Sequence, residues 1–544
     1  MKTIFLLITI ALLTANSYCQ NGEWTWMNGN NVYNPAGHYG TQGVFDPLNT
    51  PPALYETCEW TDLHGNFWLF GGSQLGENLF GDLWEFKPSI NQWAWMKGTE
   101  LMNQPPVYGI QGVPSPTNEP GGRGFGILTW VDYLGDLYLM GGSGYSGCLN
   151  DLWKYNIVSN EWTWMKGPDT VNGKGIYGLI GIEDTSNCPP ARNETSASWT
   201  DNDYNLWFFG GITFDSLYNF LYFNDLWKYN LGTNDWTWMK GSNHFNQLSV
   251  YGTKGIPNSA NVPSGRQVYA KWKDSRGNFW MFGGDDSVGF KNDMWKYDIL
   301  SNQWTWMSGT NESGNTGISG TQCVGDILNV PSARWENRAV WTRDCDNFEM
   351  FGGGSPVTNL ISFAYNSFND LWNYNVSTNQ WTWMNGSLSN NPMGNYGIKT
   401  VSNPVNLPPS RAGSNSWKDN SGNLWMFGGL NDSLTIMFND LWRFVPDTTC
   451  PLICLGEGIP QVKSEQSVSV YPNPCSNSIT LSYISIAVKT LFQIYDVTGR
   501  IIYHRSISGN EGKEIIDVSN ISSGVYFYLI KNDKETLQGK FVKQ

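Results

Sequence analysis

Five arginines recur at one position of a long repeating pattern: Arg123, Arg192, Arg266, Arg334 and Arg411, each shortly after a proline. A guanidinium is a planar fork that grips a carboxylate, sulfate or phosphate with two parallel hydrogen bonds. Five such forks around one axis would make an anion-binding rim. The competing reading is structural, with each arginine tying neighbouring loops together through backbone carbonyls or a nearby acid. Repetition in five units favours that second reading, because a single site rarely needs five copies. Two neighbours complete the candidate set. Glu349 stands where the other units carry an aromatic, and Trp335 directly follows Arg334. Glu349 could serve as an acid beside the rim, but Arg343 or Arg338 can neutralise it across a hairpin, and that pairing is the preferred expectation.

Other chemistries lack their residues. The chain has four histidines, His38, His64, His244 and His504, scattered over distant segments, so a converging copper site is not expected. No Cys-x2-Cys or His-x3-His spacing suggests zinc. Phosphate-loop, calcium-loop, serine-nucleophile and HExxH patterns are also missing. The segment Asp274-Ser-Arg-Gly-Asn278 has the wrong glycine spacing for a sialidase Asp-box and reads as turn chemistry. The expectation is therefore no catalytic residue, no metal and no cofactor.

These residues sit in a block that occurs six times. A Gly pair falls at Gly71, Gly141, Gly210, Gly283, Gly352 and Gly428, and an Asp-Leu-Trp-like element follows at Asp82, Asp151, Asp225, Asp293, Asp370 and Asp440. A fixed period of roughly 70 residues with several short strand patterns per unit signals radial or solenoid repetition. Each unit carries four strand patterns, a to d. Strand a ends near a Trp, and strand b is a continuous apolar run such as Phe67-Trp-Leu-Phe70, implying burial on both faces. Strand c is Leu-Trp-Lys-Tyr and strand d is Trp-Thr-Trp-Met, whose alternation puts both indoles on one face. Of 29 tryptophans, only Trp335 lies outside these registers, so packing between units explains the rest better than sugar stacking does.

Gly pair, Asp-Leu-Trp element and following Trp, six times in register, resemble the kelch repeat family over about residues 23–446. The resemblance implies an all-β, six-bladed kelch-type β-propeller, an architecture that leaves only short, protected sheet edges. These repeats exceed the usual period of about 50 residues, because each carries an insertion after strand d that typically reads Tyr-Gly-x-x-Gly. The chain opens on a lone strand d, Trp24-Thr-Trp-Met27, and the last unit ends at strand c, so the N-terminal strand is expected to close the ring. The b–c and d–a connections are the long ones and share one face, which is where a ligand is expected. One of them, Phe214 to Phe223, carries five aromatics that either cover the channel mouth or pack on the rim.

Residues 1–19 read as a secretory signal peptide, with Lys2, an apolar run and Cys19 at the end. The apolar run is too short for a stable membrane span, and no other stretch is long enough to cross a bilayer. The domains expected are 1–19 signal, 20–446 propeller, 447–466 linker and 467–544 a small β-sandwich. Export permits disulfides; Cys450 and Cys454 could close a small loop, and the remaining cysteines read as thiols. Residues 20–462 hold 23 Lys/Arg against 40 Asp/Glu, whereas 463–544 hold 9 against 7. The acidic repeat region argues against nucleic acid or an anionic membrane as partner.

The terminal segment carries Val470-Tyr-Pro472-Asn473-Pro474, Ile494-Tyr-Asp496-Val-Thr-Gly499-Arg, Ser523-Gly524-Val-Tyr526 and Lys540-Phe-Val-Lys543 in this order. Together they resemble the C-terminal sorting domain of type IX secretion substrates. That resemblance implies a Gram-negative host, passage through the periplasm and across the outer membrane, and the type IX machinery with its sortase as partners. The functional expectation is a secreted or cell-surface propeller binding a glycan or protein without catalysis. The alternative is a carbohydrate-active enzyme, a mutarotase or sialidase-like hydrolase, using the arginine rim and Glu349.

Overall fold

The computed structural model describes residues 22–74, 78–195, 197–356, 365–431, 433, 435–446, 468–471, 475–496, 500–531 and 536–544. The expected signal peptide, the linker, Cys450, Cys454, Pro472, Asn473, Pro474 and Gly499 lie outside these residues. The chain divides into two compact units between Leu455 and Gly456. Among the described residues no helix is long and apolar enough to cross a membrane.

The first unit is a series of small antiparallel sheets. In the first repeat, strand a (Cys58–Thr61), strand b (Phe67–Phe70), strand c (Leu83–Lys87) and strand d (Gln92–Lys97) pair in that order. Strand b is buried at every residue in all six repeats, as an apolar run without alternation requires. In five of the six repeats the a–b turn is built on one aspartate, and the fifth has Arg343 in its place. Asp274 accepts the backbone N–H of Arg276 and Asn278 on Oδ1, and Asn278 Nδ2 and Trp280 Nε1 on Oδ2. That segment is therefore turn chemistry. Each c–d pairing shifts register near the end of strand d, a bulge that increases twist and ends the pairing. The second indole of strand d seals it by donating to the carbonyl two residues on, as in Trp95 to Lys97 at 2.9 Å.

The sixth sheet joins the two ends of the unit. Its strands a to c are Asn415–Lys418, Leu424–Phe427 and Leu441–Pro446, and its outer strand is Gly22–Asn28, paired Trp24 to Phe444 and Trp26 to Trp442. Trp24 is 1% exposed and packs between Phe351, Trp442 and Phe444. The Gly pairs link successive repeats. The second glycine's N–H donates to the carbonyl of the next repeat's arginine, as in Gly72 to Arg123 at 2.9 Å, and in the sixth repeat Gly429 donates to Leu54 of the first at 2.9 Å. A Cβ on the first glycine would strike that same carbonyl, at 2.7 Å for Gly71 and 2.6 Å for Gly428, and both have φ of +65°. Only glycine satisfies both demands.

The insertions do not crown the long-loop face as expected. Each runs back along the outer strand of the repeat it precedes, so that Gly43 and Asp46 donate to Trp95 and Trp93. One buried asparagine fixes each insertion there: Asn49, Asn118, Asn187, Asn261, Asn329 and Asn406 donate through Nδ2 to the strand-d carbonyls of Trp93, Trp162, Trp236, Trp304, Trp381 and Trp24. The added length thus covers an otherwise open sheet edge. What remains on the long-loop face is a b–c hairpin per repeat, including Ile212–Phe214 with Phe220–Tyr222. Cys323 and Cys345 are each disulfide-bonded, which corrects the reading of these two as thiols; Cys58, Cys148, Cys188 and Cys475 are free. Pairing follows chain geometry rather than spacing.

The second unit is an antiparallel sheet whose hydrogen bonding is continuous, rather than two separate sheets. Its two long strands, Ser478–Tyr495 and Ile501–Asp517, pair along their length with a register shift between Ile486 and Thr490. Val468–Tyr471 joins one half of the first long strand, and Gly524–Lys531 joins the other. Its core includes Ile479, Leu481, Phe492, Ile494, Tyr526 and Phe541. Tyr526 donates its hydroxyl to the Ser522 carbonyl at 2.7 Å, while Lys540 is exposed and Lys543 buried. Asp496 accepts the backbone N–H and the Nε of Arg500, and Gly524 has φ of +159°.

Candidate functional site

The five arginines form no rim. Each is buried and clamps the aspartate of the Asp-Leu-Trp element in its own repeat: Arg123 holds Asp151 at 2.8 and 2.9 Å, and Arg266 holds Asp293 at 2.7 and 2.9 Å. Arg192, Arg334 and Arg411 hold Asp225, Asp370 and Asp440 in the same way. Further N–H groups of these arginines reach carbonyls such as Gly141 and Gly283 or the hydroxyls of Ser264 and Ser332. The aspartate also accepts the indole N–H two residues on, and in four of these five repeats a tyrosine hydroxyl from the insertion, as Asp151 does from Trp153 and Tyr108. The arginines are thus consumed in building the repeats, and an external anion finds no free fork. Burial works against the Asp293 carboxylate, but the adjoining Arg266 and the donated hydrogen bonds hold its pKa below the usual range. The first repeat has Leu54 in the arginine's place; there burial raises Asp82 to about 6 despite hydrogen bonds from Tyr39 and Trp84.

Glu349 is likewise paired inside the fold, through Oε1; its Oε2 has no hydrogen-bond partner among the described residues. It is fully buried and receives Arg343 at 2.7 Å, across the hairpin and within its own repeat. Trp335 lies elsewhere, on the long-loop face, where it packs at a tilt against Tyr365, ring centroids 4.4 Å apart, and meets Phe290 edge-on at 6.0 Å. The hairpin of the third repeat stands beside this group, tied to the fourth by the Tyr222 hydroxyl on Asp285 at 2.8 Å. Of its five aromatics, Tyr222 and Phe223 are buried, and Phe223 lies 4.0 Å beneath the Arg192 guanidinium. The other three are not: Phe214 is 38%, Phe220 48% and Tyr218 85% exposed, with Leu217 between them at 78%. An Asp215 turn holds the tip, accepting from Leu217, Asn219 N–H and Asn219 Nδ2.

Two residues beyond each arginine position, a second constellation appears that motif reading missed. These positions carry Glu56, Phe125, Glu194, Val268, Glu336 and Gly413, all with positive φ between 49° and 64°. Backbone hydrogen bonds run from one to the next: Glu56 to Gly413, Gly413 to Glu336, Glu336 to Val268, Val268 to Glu194 and Glu194 to Phe125. Glutamate therefore occupies every second repeat, and oxygens of Glu56, Glu194 and Glu336 lie within 4.8 Å of one another. Arg338 contacts Glu56 at 3.3 Å. Burial first, and then the Glu56 charge, raises the Glu194 and Glu336 carboxyls well above the ordinary range.

Beside these carboxylates a cavity follows the inner strands, lined by Thr57, Glu59, Thr129, Tyr269, Lys271 and Arg338. It adjoins a second cavity of about 340 Å³ toward the a–b turns, where Ser198, Thr200, Lys273, Thr342 and Ser416 join Glu59 and Lys271. Burial lowers Lys271 to about 8, opposed by the Glu59 charge, and its ammonium donates to Ser198 at 2.6 Å.

Comparison with known proteins agrees with the two-part organisation. Residues 469–544 match the family model for a secretion system C-terminal sorting domain, and residues 134–163 match the kelch motif. The chain is 26% identical over 235 residues to kelch domain-containing protein 10 of Bos taurus and of Homo sapiens, covering 36% of this chain and 48% of theirs. It is 30% identical over 113 residues to multiple epidermal growth factor-like domains protein 8 of Homo sapiens, covering 20% of this chain and 4% of that one. The chain thus carries kelch repeats and a type IX sorting domain. Such a domain implies engagement of the type IX translocon and export from a Gram-negative cell.

Proposed function

We propose that the kelch repeats and the sorting domain make one exported binding protein: a closed six-bladed propeller, released outside the cell or held on its surface, that binds a glycan or protein without catalysis. On this reading the signal peptide takes the chain to the periplasm and the type IX machinery takes it across the outer membrane. A sortase then removes the terminal domain. The exposed aromatic hairpin carries the binding assignment. Phe214, Tyr218 and Phe220 expose large apolar faces to water at the tip of a rigid scaffold, next to the Trp335 group. Patches of that kind mark interaction sites, and aromatic anchors dominate binding energy where such sites are known.

The carbohydrate-active reading loses ground because both groups it relied on, the arginines and Glu349, are buried and internally paired. A glycan array and a surface-protein capture screen, run on wild type and on Phe214→Ser/Tyr218→Ser/Phe220→Ser, test the proposal. The expected result is a hit lost in the variant with an unchanged melting temperature, and no anomer exchange or hydrolysis of that hit. Retained binding by the variant would move the site elsewhere, and turnover of the hit would replace binding with catalysis.

A further inference from the structure

The alternation of glutamates around the axis has a consequence independent of the binding face. We propose that Glu56, Glu194 and Glu336 together hold one divalent cation, calcium in preference to magnesium. Calcium takes oxygen ligands at about 2.3–2.6 Å, so two ligands of one ion lie at most about 5.2 Å apart; the carboxylate oxygens here fall within 4.8 Å of one another. Magnesium requires about 2.0–2.1 Å and a near-ideal octahedron, whereas calcium accepts an irregular shell of six to eight oxygens, which suits three glutamates contributed by separate repeats. Three hard carboxylate donors also favour calcium, magnesium or manganese over softer metals.

The second observation is separate from the clustering. Glu336 is 4% exposed, and among the described residues no N–H or O–H donor reaches either of its carboxylate oxygens or Oε2 of Glu194; their near polar neighbour is the Glu56 carboxylate. A buried acceptor left unsatisfied is costly, and buried charge normally is paired or ligates a metal. Arg338 does not fill the role, since its ion pair is to Glu56. When all three are ionised, as ligands of a bound ion must be, three carboxylates against one guanidinium carry a formal charge of about −2, which one divalent ion neutralises.

Of the three intervening positions, one adds no side chain to the cluster. Gly413 has no side chain, and a Cβ there would come within 3.3 Å of Glu336 Oε2 and 3.4 Å of Glu56 Cγ. Glu194 is only partly buried, which leaves the cluster a polar approach. The ion would join repeats one, three and five, tying non-adjacent parts of the ring together.

The test uses the full-length chain stripped with chelator and titrated with calcium, magnesium or manganese chloride. Calorimetry should show saturable one-to-one calcium binding, and the melting temperature should climb with calcium concentration, as linkage requires of a ligand bound only by the folded state. Glu336→Gln and Glu194→Gln should each weaken calcium at least about tenfold, since even the loss of a group that only supports a metal ligand costs about 10–100-fold. Both variants relieve like-charge repulsion, so both should fold and, without calcium, melt no lower than wild type. No saturable uptake of calcium, magnesium or manganese by wild type would overturn the proposal. So would calcium affinity undiminished in both variants, or a variant that shifts the melting temperature while leaving the titration unchanged.

Discussion

Asp151→Asn should be far more damaging than the same change at Asp82, although the two residues hold equivalent positions. Asp151 carries both hydrogen bonds of a guanidinium whose side chain is fully buried, at 2.8 and 2.9 Å, together with the Trp153 indole at 2.7 Å and the Tyr108 hydroxyl at 3.0 Å. An amide removes the charge and turns a donor toward Arg123. Breaking a buried pair from one side costs about 3–5 kcal/mol, because the other charge stays buried without compensation. Asp82 has no guanidinium to abandon, since Leu54 fills that place, and the Asp82 donors Tyr39 and Trp84 both use Oδ2, which an amide oxygen can replace. Burial raises its pKa from 3.8 to about 6. A folded-state pKa above the unfolded value means that the native state holds the proton more tightly. Wild type therefore loses stability relative to Asp82→Asn as pH rises from about 4 to about 6. Urea denaturation of both variants at pH 5 and pH 8 should give a loss of about 3–5 kcal/mol for Asp151→Asn at either pH. Asp82→Asn should fall within about 1 kcal/mol of wild type and be relatively better at pH 8. Equal losses for the two variants would show that the arginine clamp does not organise the repeat.

Export and the aromatic face yield the remaining expectations. Removing residues 467–544 should leave the repeat region folded, since the chain divides into separately packed units between Leu455 and Gly456, and should trap it in the periplasm of a type IX host. The same segment fused to a signal-peptide-bearing reporter should carry the reporter outside, and mature protein recovered there should lack the segment. Normal surface delivery of the truncated chain, together with failure of the fusion, would refute the export reading. Binding through the third-repeat hairpin predicts that Tyr218→Ser alone weakens any captured ligand, while Tyr133→Ser, an exposed a–b-turn residue, does not.

The strand content of each repeat was legible because its signals are local. Phe67-Trp-Leu-Phe70 cannot avoid burial on both faces, and the lone Trp24-Thr-Trp-Met27 had to find strand c of the last unit. Longer-range pairings were less visible. The arginine at 123 meets its aspartate 28 residues on, and the asparagine at 118 meets its strand-d carbonyl 44 residues on. Both are recurrent and could have been proposed as partners, but spacing alone did not show that the insertion folds back along the sheet edge. The axial glutamates escaped for a different reason. Searching repeats for identity hides a position that alternates, and Glu56, Phe125, Glu194, Val268, Glu336 and Gly413 have no consensus. Aligning the residue two beyond each arginine position would have exposed the pattern. Trp335 stands out in sequence and sits in an aromatic group on the long-loop face, whereas Glu349 stands out because it replaces an aromatic with a local ion pair.

The proposed closed propeller stands or falls with the pairing of the N-terminal strand, and deletion of Glu23 to Gly29 tests it most directly. The deletion removes Trp24 and Trp26, 1% and 9% exposed, and opens the edge of Leu441–Pro446. At about 3–5 kcal/mol for each large aromatic removed from a core, the loss approaches the whole stability of a typical fold, about 5–15 kcal/mol. The account predicts a sharply lowered melting temperature, with association through the exposed strand. A truncated protein that melts at the wild-type temperature and remains monomeric would contradict it.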